Sequence, residues 1–363
     1  MSPFYYQPIY LALVLFLSIW VGVRRITSPD YTHQQKGTFW LFPLLVSVVF
    51  AVWLGLRPIS GAAFGDTVNY ALEYRTMDIY QVRMDWSREW IWQWLMIACK
   101  STGLSVNSFL VVVELIYVLS AFFAVKRFMP KDPMLGMLFV AGSLMFFTFG
   151  VNGIRNGMAC HLVLLAISLL LDDKYFLGGL LCLVAFGIHR STMLPIAASL
   201  VAIFAVRDFR YALAFWIGSI FISLIAGGAV SNFFAGLGFD DRMTQYTRAQ
   251  DMSIFSREGF RWDFLLFSTV PVFMGWYICV KKKIQDNWYN VICMTYCLCN
   301  AFWIMVIRSA YSNRFAYLSW FIYPIVIAYP LVNLPVWDDQ DRKTGWILLA
   351  YVAFTAFMLT VVW

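Results

Sequence analysis

Runs of about twenty mostly apolar residues recur along this 363-residue chain, and no other feature constrains its fold as strongly. Such a run is long enough for an α-helix to cross the hydrocarbon core of a bilayer. The strands of a membrane barrel would instead alternate apolar and polar residues, which these runs do not. The sequence therefore predicts an all-α, polytopic integral membrane protein with a single membrane domain over residues 1–363.

The composition excludes the main alternatives. Apolar residues make up 61% of the chain and charged residues 13%, against about 45–50% and about 25% in soluble domains. No soluble core of this length could bury so many apolar side chains, which excludes a soluble enzyme, a disordered chain, a coiled coil and a secreted disulfide scaffold. The net charge of +7 is spread over many short loops, so we expect a lipid bilayer and not nucleic acid as the partner.

The apolar runs predict about twelve transmembrane helices. They cover about 5–23, 39–56, 107–125, 134–150, 155–171, 175–188, 191–206, 211–227, 263–280, 288–306, 314–332 and 345–362. A shorter segment at 89–99 is rich in Trp and predicts a helix at the membrane interface.

Lysines set the predicted orientation of these spans. The loops form two alternating sets; eight of the nine lysines lie in one set, and only Lys100 lies in the other. The positive-inside rule assigns the lysine-rich set to the cytoplasm. Both termini and the two longest loops, about 57–106 and 228–262, are then predicted to lie outside.

Arginines do not follow this asymmetry, since twelve of the 18 fall in the predicted outer loops. The planar guanidinium binds phosphate and carboxylate in bidentate fashion, which the lysine ammonium does not. An outer face rich in Arg and poor in Lys therefore predicts a binding site for an anion. Ion pairing with acids of the same loops, such as Asp66, Glu73 and Glu89, is the alternative explanation.

Two outer segments carry candidate groups near a predicted span. In the first loop, Asp66, Tyr70 and Glu73 are spaced to share one helix face, although Asp66 could equally cap a helix that follows Gly65. Arg155, followed by Asn156, opens an apolar span. It could reach out to water, but the glycines on either side of it, Gly153 and Gly157, favour room for an anion beside its guanidinium.

Two further outer turns carry candidates. His189, Arg190 and Ser191 form a tight turn, and His189 is the only one of three histidines at the predicted outer boundary. Histidine suits general base catalysis near neutral pH, although a lone histidine in a turn is often structural. Arg308 and Arg314 flank the last outer turn, and Arg314 opens a span as Arg155 does.

No metal site or cofactor is predicted. The seven cysteines lie in or beside apolar segments, and the group Cys293, Cys297 and Cys299 is best interpreted as packing. The acidic run Asp338–Asp341 is weak evidence for a metal site. Glu114 lies in the middle of a span, where a carboxylate can be either functional or a hydrogen-bonded structural group.

Taken together, these segments resemble the EpsG family of exopolysaccharide and O-antigen polymerases, the Wzy-like proteins. The matching elements, in order, are Asp66-x-x-x-Tyr70, Ile154-Arg155 followed by Ala159, His189-x-Ser191, and Arg314 at the start of a late span. Asn156 departs from the glutamine that the family often has at that position.

The resemblance implies a membrane glycosyltransferase of the GT-C-like class in the bacterial inner membrane, with its active site on the periplasmic side. The substrates would be undecaprenyl-pyrophosphate-linked glycans, and protein partners could include a chain-length regulator and a flippase. Candidate catalytic residues are His189 and Asp66. Candidate substrate- and diphosphate-binding residues are Arg155, Arg314, Arg308, Arg190, Tyr70, Asn156, Ser191 and Glu73.

Three other functions compete with a polymerase. An O-antigen ligase would use the same donor and a similar arginine pocket, so the sequence separates it poorly. A lipid-linked oligosaccharide flippase or another transporter would carry charges along a central cavity, whereas these cluster at the outer face. A scaffold within an assembly complex would not depend on single outer arginines.

Overall fold

The computed structural model describes residues 1–28, 40–80, 86, 88–236, 260–308 and 312–362. Every regular element among these residues is a helix. The helices are α1 Tyr6–Thr27, α2 Leu41–Gly55, α3 Gly61–Phe64, α4 Thr67–Thr76, α5 Trp90–Ser101, α6 Val106–Phe128, α7 Pro133–Ala141, α8 Phe146–Val151, α9 Ile154–Leu170, α10 Tyr175–Ile188, α11 Met193–Leu200, α12 Phe209–Gly236, α13 Trp262–Gly275, α14 Asn287–Met305, α15 Ser312–Trp320, α16 Tyr323–Asn333 and α17 Gln340–Phe357.

Six helical stretches of the described chain are long and apolar enough to cross a membrane. They are Pro3–Thr27, Val106–Phe128, Phe209–Gly227, Trp262–Lys281, Arg314–Asn333 and Gln340–Val361. Shorter apolar helices add Leu41–Gly55, Ile154–Leu170, Tyr175–Ile188 and Arg190–Ala205. The chain is thus an all-α polytopic membrane protein, which confirms the prediction from the apolar runs.

Two of the predicted spans are interrupted. The segment 134–150 forms α7 and α8 with a break between them, where Gly142 leaves no room for a β-carbon against Leu138 and Val352. In the segment 314–332 the chain turns between α15 and α16. Pro324 follows at the start of α16, and its missing N–H prevents continuation of the preceding helix.

The contacts within the chain divide it into two compact units. The first comprises Met1–His189 and Ala328–Trp363, and the second comprises Arg190–Ile327. A single membrane domain stays a prediction, and each unit is described below by itself.

In the first unit, α1 packs on α17, and α6 packs on both α2 and α9, which in turn contacts α10. At Gly55, α2 approaches α6 so closely that a β-carbon there would overlap the backbone of Val111. Small residues permit such close packing of apolar helices. The helix starts are capped in the ordinary way: Ser105 Oγ accepts from the Ser108 N–H at 3.2 Å, and Asp132 Oδ1 accepts from the Leu135 N–H at 3.0 Å.

Fully buried arginines of the first unit are neutralised by acids. Arg57 Nη1 lies 2.7 Å from Glu114 Oε1, so the acid in the middle of a predicted span has a structural partner. Arg25 is bound by Asp132 and by Asp341 Oδ1, the latter at 2.6 Å. Asp341 belongs to the acidic run considered above as a weak metal site. Removing one partner of such a buried ion pair lowers the free energy of unfolding by about 3–5 kcal/mol.

Between α2 and α6 the chain forms the three short helices α3, α4 and α5. Gly65, with φ +48°, makes the turn into α4, and a side chain there would also meet Asn152. Asn152 Oδ1 accepts from the Asp66 N–H at 2.8 Å, and Thr67 donates to the Val151 carbonyl. The first long loop is therefore fixed to the turn before α9. Most of the second predicted loop, 228–262, lies outside the described residues.

In the second unit, α14 contacts α11, α12, α13 and α15. Asn300 in its centre accepts from Trp216 Nε1 at 2.8 Å and donates to Ser319 Oγ at 3.0 Å. These bonds join α12, α14 and α15 through one amide. Cys293, Cys297 and Cys299 are buried on the same helix as free thiols.

Lys100 generates a stability prediction. Its ammonium donates to the carbonyls of Tyr74, Arg75 and Met77 at 2.7, 2.9 and 2.6 Å, which uses all three of its donors at the end of α4. Lys100→Met should therefore lower the free energy of unfolding by about 2 kcal/mol. The measurement is thermal unfolding of the purified protein in detergent.

The control is Lys174→Met, since that exposed ammonium pairs only with the exposed Asp172 carboxylate. An unchanged melting temperature for Lys100→Met, equal to that of the control, would show that the three bonds add nothing to stability.

Candidate functional site

One carboxylate of the first unit joins two of the predicted site residues. Glu89 Oε2 lies 2.5 Å from Arg155 Nη1, and Glu89 Oε1 lies 2.8 Å from His189 Nδ1. Their side chains are between 14% and 24% exposed, so the group is screened from bulk water and yet reachable. Because α9 and α10 pack together, the start of α9 and the end of α10 bring Arg155 and His189 to the same end of the helix pair.

Two aromatic rings support the arginine. The guanidinium carbon of Arg155 lies 5.2 Å from the centre of the Tyr70 ring and 5.9 Å from that of Trp92. The two rings meet edge to face at 5.5 Å, and both are buried. Cation–π contacts of this kind stabilise a partly desolvated guanidinium. We call Glu89, Arg155, His189, Tyr70 and Trp92 the Glu89 cluster.

The guanidinium retains donors for a ligand. Arg155 Nε is buried and has no hydrogen-bond partner among the described residues. A guanidinium has five N–H donors, of which the contacts with Glu89 and Tyr70 use only part. A buried donor without a partner is rare in proteins, and a bound anion would satisfy it.

Close backbone contacts fix the cluster. A β-carbon at Gly187, two residues before His189, would overlap Ile91 of α5 and lie 3.0 Å from Trp90. Because glycine stands there, the end of α10 reaches the start of α5, where Glu89 precedes Trp90. At Gly157 a β-carbon would lie 2.6 Å from the Phe149 carbonyl oxygen, so α9 also packs tightly near Arg155.

The glycines beside Arg155 do not provide the space for a ligand that the sequence suggested. Phe149 fills the space beside both Gly153 and Gly157. Asn156 is also directed into the protein, since it is 8% exposed and its Oδ1 accepts from Cys160 Sγ at 3.1 Å. The guanidinium of Arg155 therefore lies against α4 and α5, where its neighbours Tyr70 and Trp92 are aromatic.

The first-loop candidates lie along α4. Asp66 occupies the N-cap position but its side chain makes no capping bond; Asn69 Nδ2 lies 3.4 Å from its Oδ1. Tyr70 belongs to the Glu89 cluster. Glu73 is exposed, and its pKa is raised because neighbouring protein atoms partly desolvate the carboxyl, while the positive charge of Arg155 lowers this pKa and the negative charge of Glu89 raises it.

The remaining candidates belong to the second unit. Arg190 is exposed, and Ser191 is buried with no partner for its hydroxyl among the described residues. Arg308 is exposed beside Gly227, and its guanidinium carbon lies 6.0 Å from the Phe260 ring centre. Arg314 is half-buried in the first turn of α15. A pocket shared by Arg155 and Arg314 stays a prediction.

Sequence reasoning missed two members of the cluster as site residues. Glu89 was weighed only as a general ion-pairing acid, and Trp92 only as part of an interfacial helix. The sequence did carry one signal, because Glu89 directly precedes the Trp-rich helix that contains Trp92. An acid at the start of a helix can reach groups on neighbouring helices.

The comparisons with known proteins place the chain in one family. The model of the EpsG family matches residues 40–363, which is most of the chain and includes every candidate site residue. No curated protein and no solved structure matches. On the strength of that match, this chain belongs to the EpsG family.

Proposed function

We propose that this protein is a membrane glycosyltransferase that polymerises O-antigen or a related exopolysaccharide. It joins undecaprenyl-pyrophosphate-linked repeat units at the periplasmic face of the bacterial inner membrane. Membership of the EpsG family supports the membrane polymerase class. The observation that carries the proposal is the Glu89 cluster, in which one carboxylate bridges a fixed cation and a proton acceptor.

Arg155 is the group that would bind the diphosphate. Negative charge grows on the diphosphate as its bond to the sugar breaks, and preorganised donors stabilise such charge most when water is excluded. The guanidinium is held by Glu89, Tyr70 and Trp92, so it would not need to reorganise during the reaction. Arginines in this role supply the positive charge that many soluble transferases take from a metal cation.

His189 is the proposed general base. An ionised carboxylate only accepts hydrogen bonds, so Glu89 fixes the proton of the neutral imidazole on Nδ1. In that tautomer Nε2 is the nitrogen that carries the lone pair. It takes the proton of the acceptor hydroxyl while the hydroxyl oxygen bonds to the anomeric carbon of the donor. The bond from that carbon to the diphosphate oxygen breaks with its electron pair, and undecaprenyl pyrophosphate leaves.

The other candidates keep secondary roles in this proposal. Asp66, at the start of the helix that carries Tyr70, is a second carboxylate for a sugar hydroxyl. Arg190, Ser191, Arg308 and Arg314 would complete the substrate site, and a chain-length regulator and a flippase would be the protein partners.

Deletion of the gene, followed by a gel of surface polysaccharide, tests the proposal. Loss of a polymerase should leave a band with a single repeat unit. Bare core would instead identify an O-antigen ligase, and unchanged polymer would exclude both enzymes.

His189→Gln tests the base. Glutamine can keep a hydrogen bond but cannot take the proton, so polymerisation should fall about 10²–10⁴-fold at an unchanged protein level. The measurement is the rate of polymer formation by purified protein from lipid-linked repeat units. His161→Ala is the control: His161 is buried against Tyr117 and Phe146, so its loss should lower thermal stability, not the rate per folded molecule. Full-length polymer from His189→Gln would leave His189 only a positioning role.

Arg155→Lys tests diphosphate binding. Lysine keeps the charge but loses the planar fork, so activity should fall by about 10²-fold while the protein level holds. We expect the same for Arg314→Lys. The control is Arg127→Lys, since Arg127 binds Asp172 and Ser168 away from the cluster. Normal polymerisation by both test variants would exclude bidentate binding of the diphosphate.

Reporter fusions test the orientation. A fusion after Lys283 should be cytoplasmic, and a fusion near Gln250 should be periplasmic, because of the lysine asymmetry. The measurement is the paired activity of alkaline phosphatase and a cytoplasmic reporter. The reverse pattern would put the Glu89 cluster on the cytoplasmic side and contradict the mechanism.

A further inference from the structure

Each oxygen of the Glu89 carboxylate binds a different member of the Glu89 cluster. Oε2 binds Arg155 at 2.5 Å and Oε1 binds His189 at 2.8 Å. Glu89 is the residue before α5, yet its side chain makes no capping bond to that helix. Its oxygens are instead directed to the ends of α9 and α10, which lie 66 and 100 residues away in sequence.

Binding of an anion at Arg155 changes the contacts of the Glu89 carboxylate. A diphosphate at Arg155 competes with Glu89 for the same guanidinium donors, because both are acceptors of charge-assisted bonds. The negative charge of the diphosphate also repels the carboxylate. Both effects weaken the contact between Glu89 and Arg155 and leave the contact between Glu89 and His189 in place.

We propose that Glu89 is a positioning residue that couples donor binding to activation of the base. With the donor site empty, Glu89 binds both Arg155 and His189; with the lipid diphosphate bound, the contact with Arg155 weakens and the contact with His189 stays. The base is then strongest when a leaving group is in place. This inference rests on the proposed function, since it assumes that Arg155 binds the diphosphate and that His189 accepts the proton.

The first test is a double-mutant cycle on turnover. Glu89→Gln presents an amide that can donate to Nδ1 and so favours the tautomer with its proton on Nε2, which cannot act as a base. We expect kcat to fall about 10²–10⁴-fold, with little change in KM. Adding Glu89→Gln to a protein that already carries His189→Gln should not lower kcat further, because the two residues act as one unit.

A structural role would give a different result. If Glu89 only held the fold, its change would lower kcat by the same factor with and without His189, and that outcome overturns the inference. Single-turnover assays with radiolabelled repeat units measure the slow variants. Asp172→Asn is the matched control, since it also replaces a carboxylate by an amide, but at a residue that binds Arg127 and Lys174 away from the Glu89 cluster.

The second test measures whether Glu89→Gln raises or lowers the affinity for the lipid diphosphate. If Glu89 competes for Arg155, Glu89→Gln should bind undecaprenyl pyrophosphate several-fold more tightly than the unchanged protein. Arg155→Lys should bind it more weakly. Weaker binding by Glu89→Gln would show that the carboxylate orients the guanidinium for the ligand, and competition would be wrong.

The outcomes separate this inference from the function it rests on. Normal polymerisation by His189→Gln removes the base and with it the coupling, whereas the polymerase function itself is decided by the deletion experiment. An inactive His189→Gln with a fully active Glu89→Gln rejects the coupling alone and leaves the glycosyl transfer intact.

Discussion

A charge buried among apolar helices must find a partner inside the protein, and the first unit is arranged around that requirement. Where water cannot solvate a guanidinium, leaving it unpaired costs several kcal/mol. Arg57 meets Glu114, and Arg25 meets Asp132 and Asp341. The guanidinium groups of Arg57 and Arg25 are fully buried, and their ion pairs join distant parts of the chain. The pair of Arg155 with Glu89 follows the same rule, but both of its side chains stay partly exposed, so that a ligand can reach them.

The features that the sequence predicted are those set by local pattern. Apolar runs located the helices, because a membrane span requires length and hydropathy and nothing more specific. The N-caps Ser105 and Asp132, which were not among the predictions, also follow a local rule, because a short polar side chain at a helix start accepts a hydrogen bond from a backbone N–H. Arg155 and His189 stood out because they are charged or titratable groups next to apolar segments. Their surroundings, by contrast, were not predictable from their neighbours.

What escaped prediction depends on contacts between segments far apart in the chain. Glu89 was one of ten acids in the predicted outer loops, and nothing local distinguishes it. Gly153 and Gly157 suggested open space beside Arg155, but Phe149 occupies it. Lys100 stood out only as the one lysine outside the predicted cytoplasmic set; in the structure its ammonium caps the end of α4 by donating to three carbonyl oxygens. Each of these outcomes follows from three-dimensional packing, which spacing along the sequence does not encode.

The directions of α9 and α10 add to the chemistry of the Glu89 cluster. Arg155 is in the first turn of α9, where backbone N–H groups give a partial positive charge, and His189 is the C-cap of α10, where carbonyls give a partial negative charge. Negative charge is therefore favoured beside the first turn of α9 and positive charge beside the last turn of α10, each by about 0.3–1 kcal/mol. The proposed transfer creates these two charges, the negative one on the leaving diphosphate and the positive one on the imidazole that takes the proton. An antiparallel helix pair thus supplies opposite fields at one end, and Glu89, lying between them, connects the two sites at which charge develops.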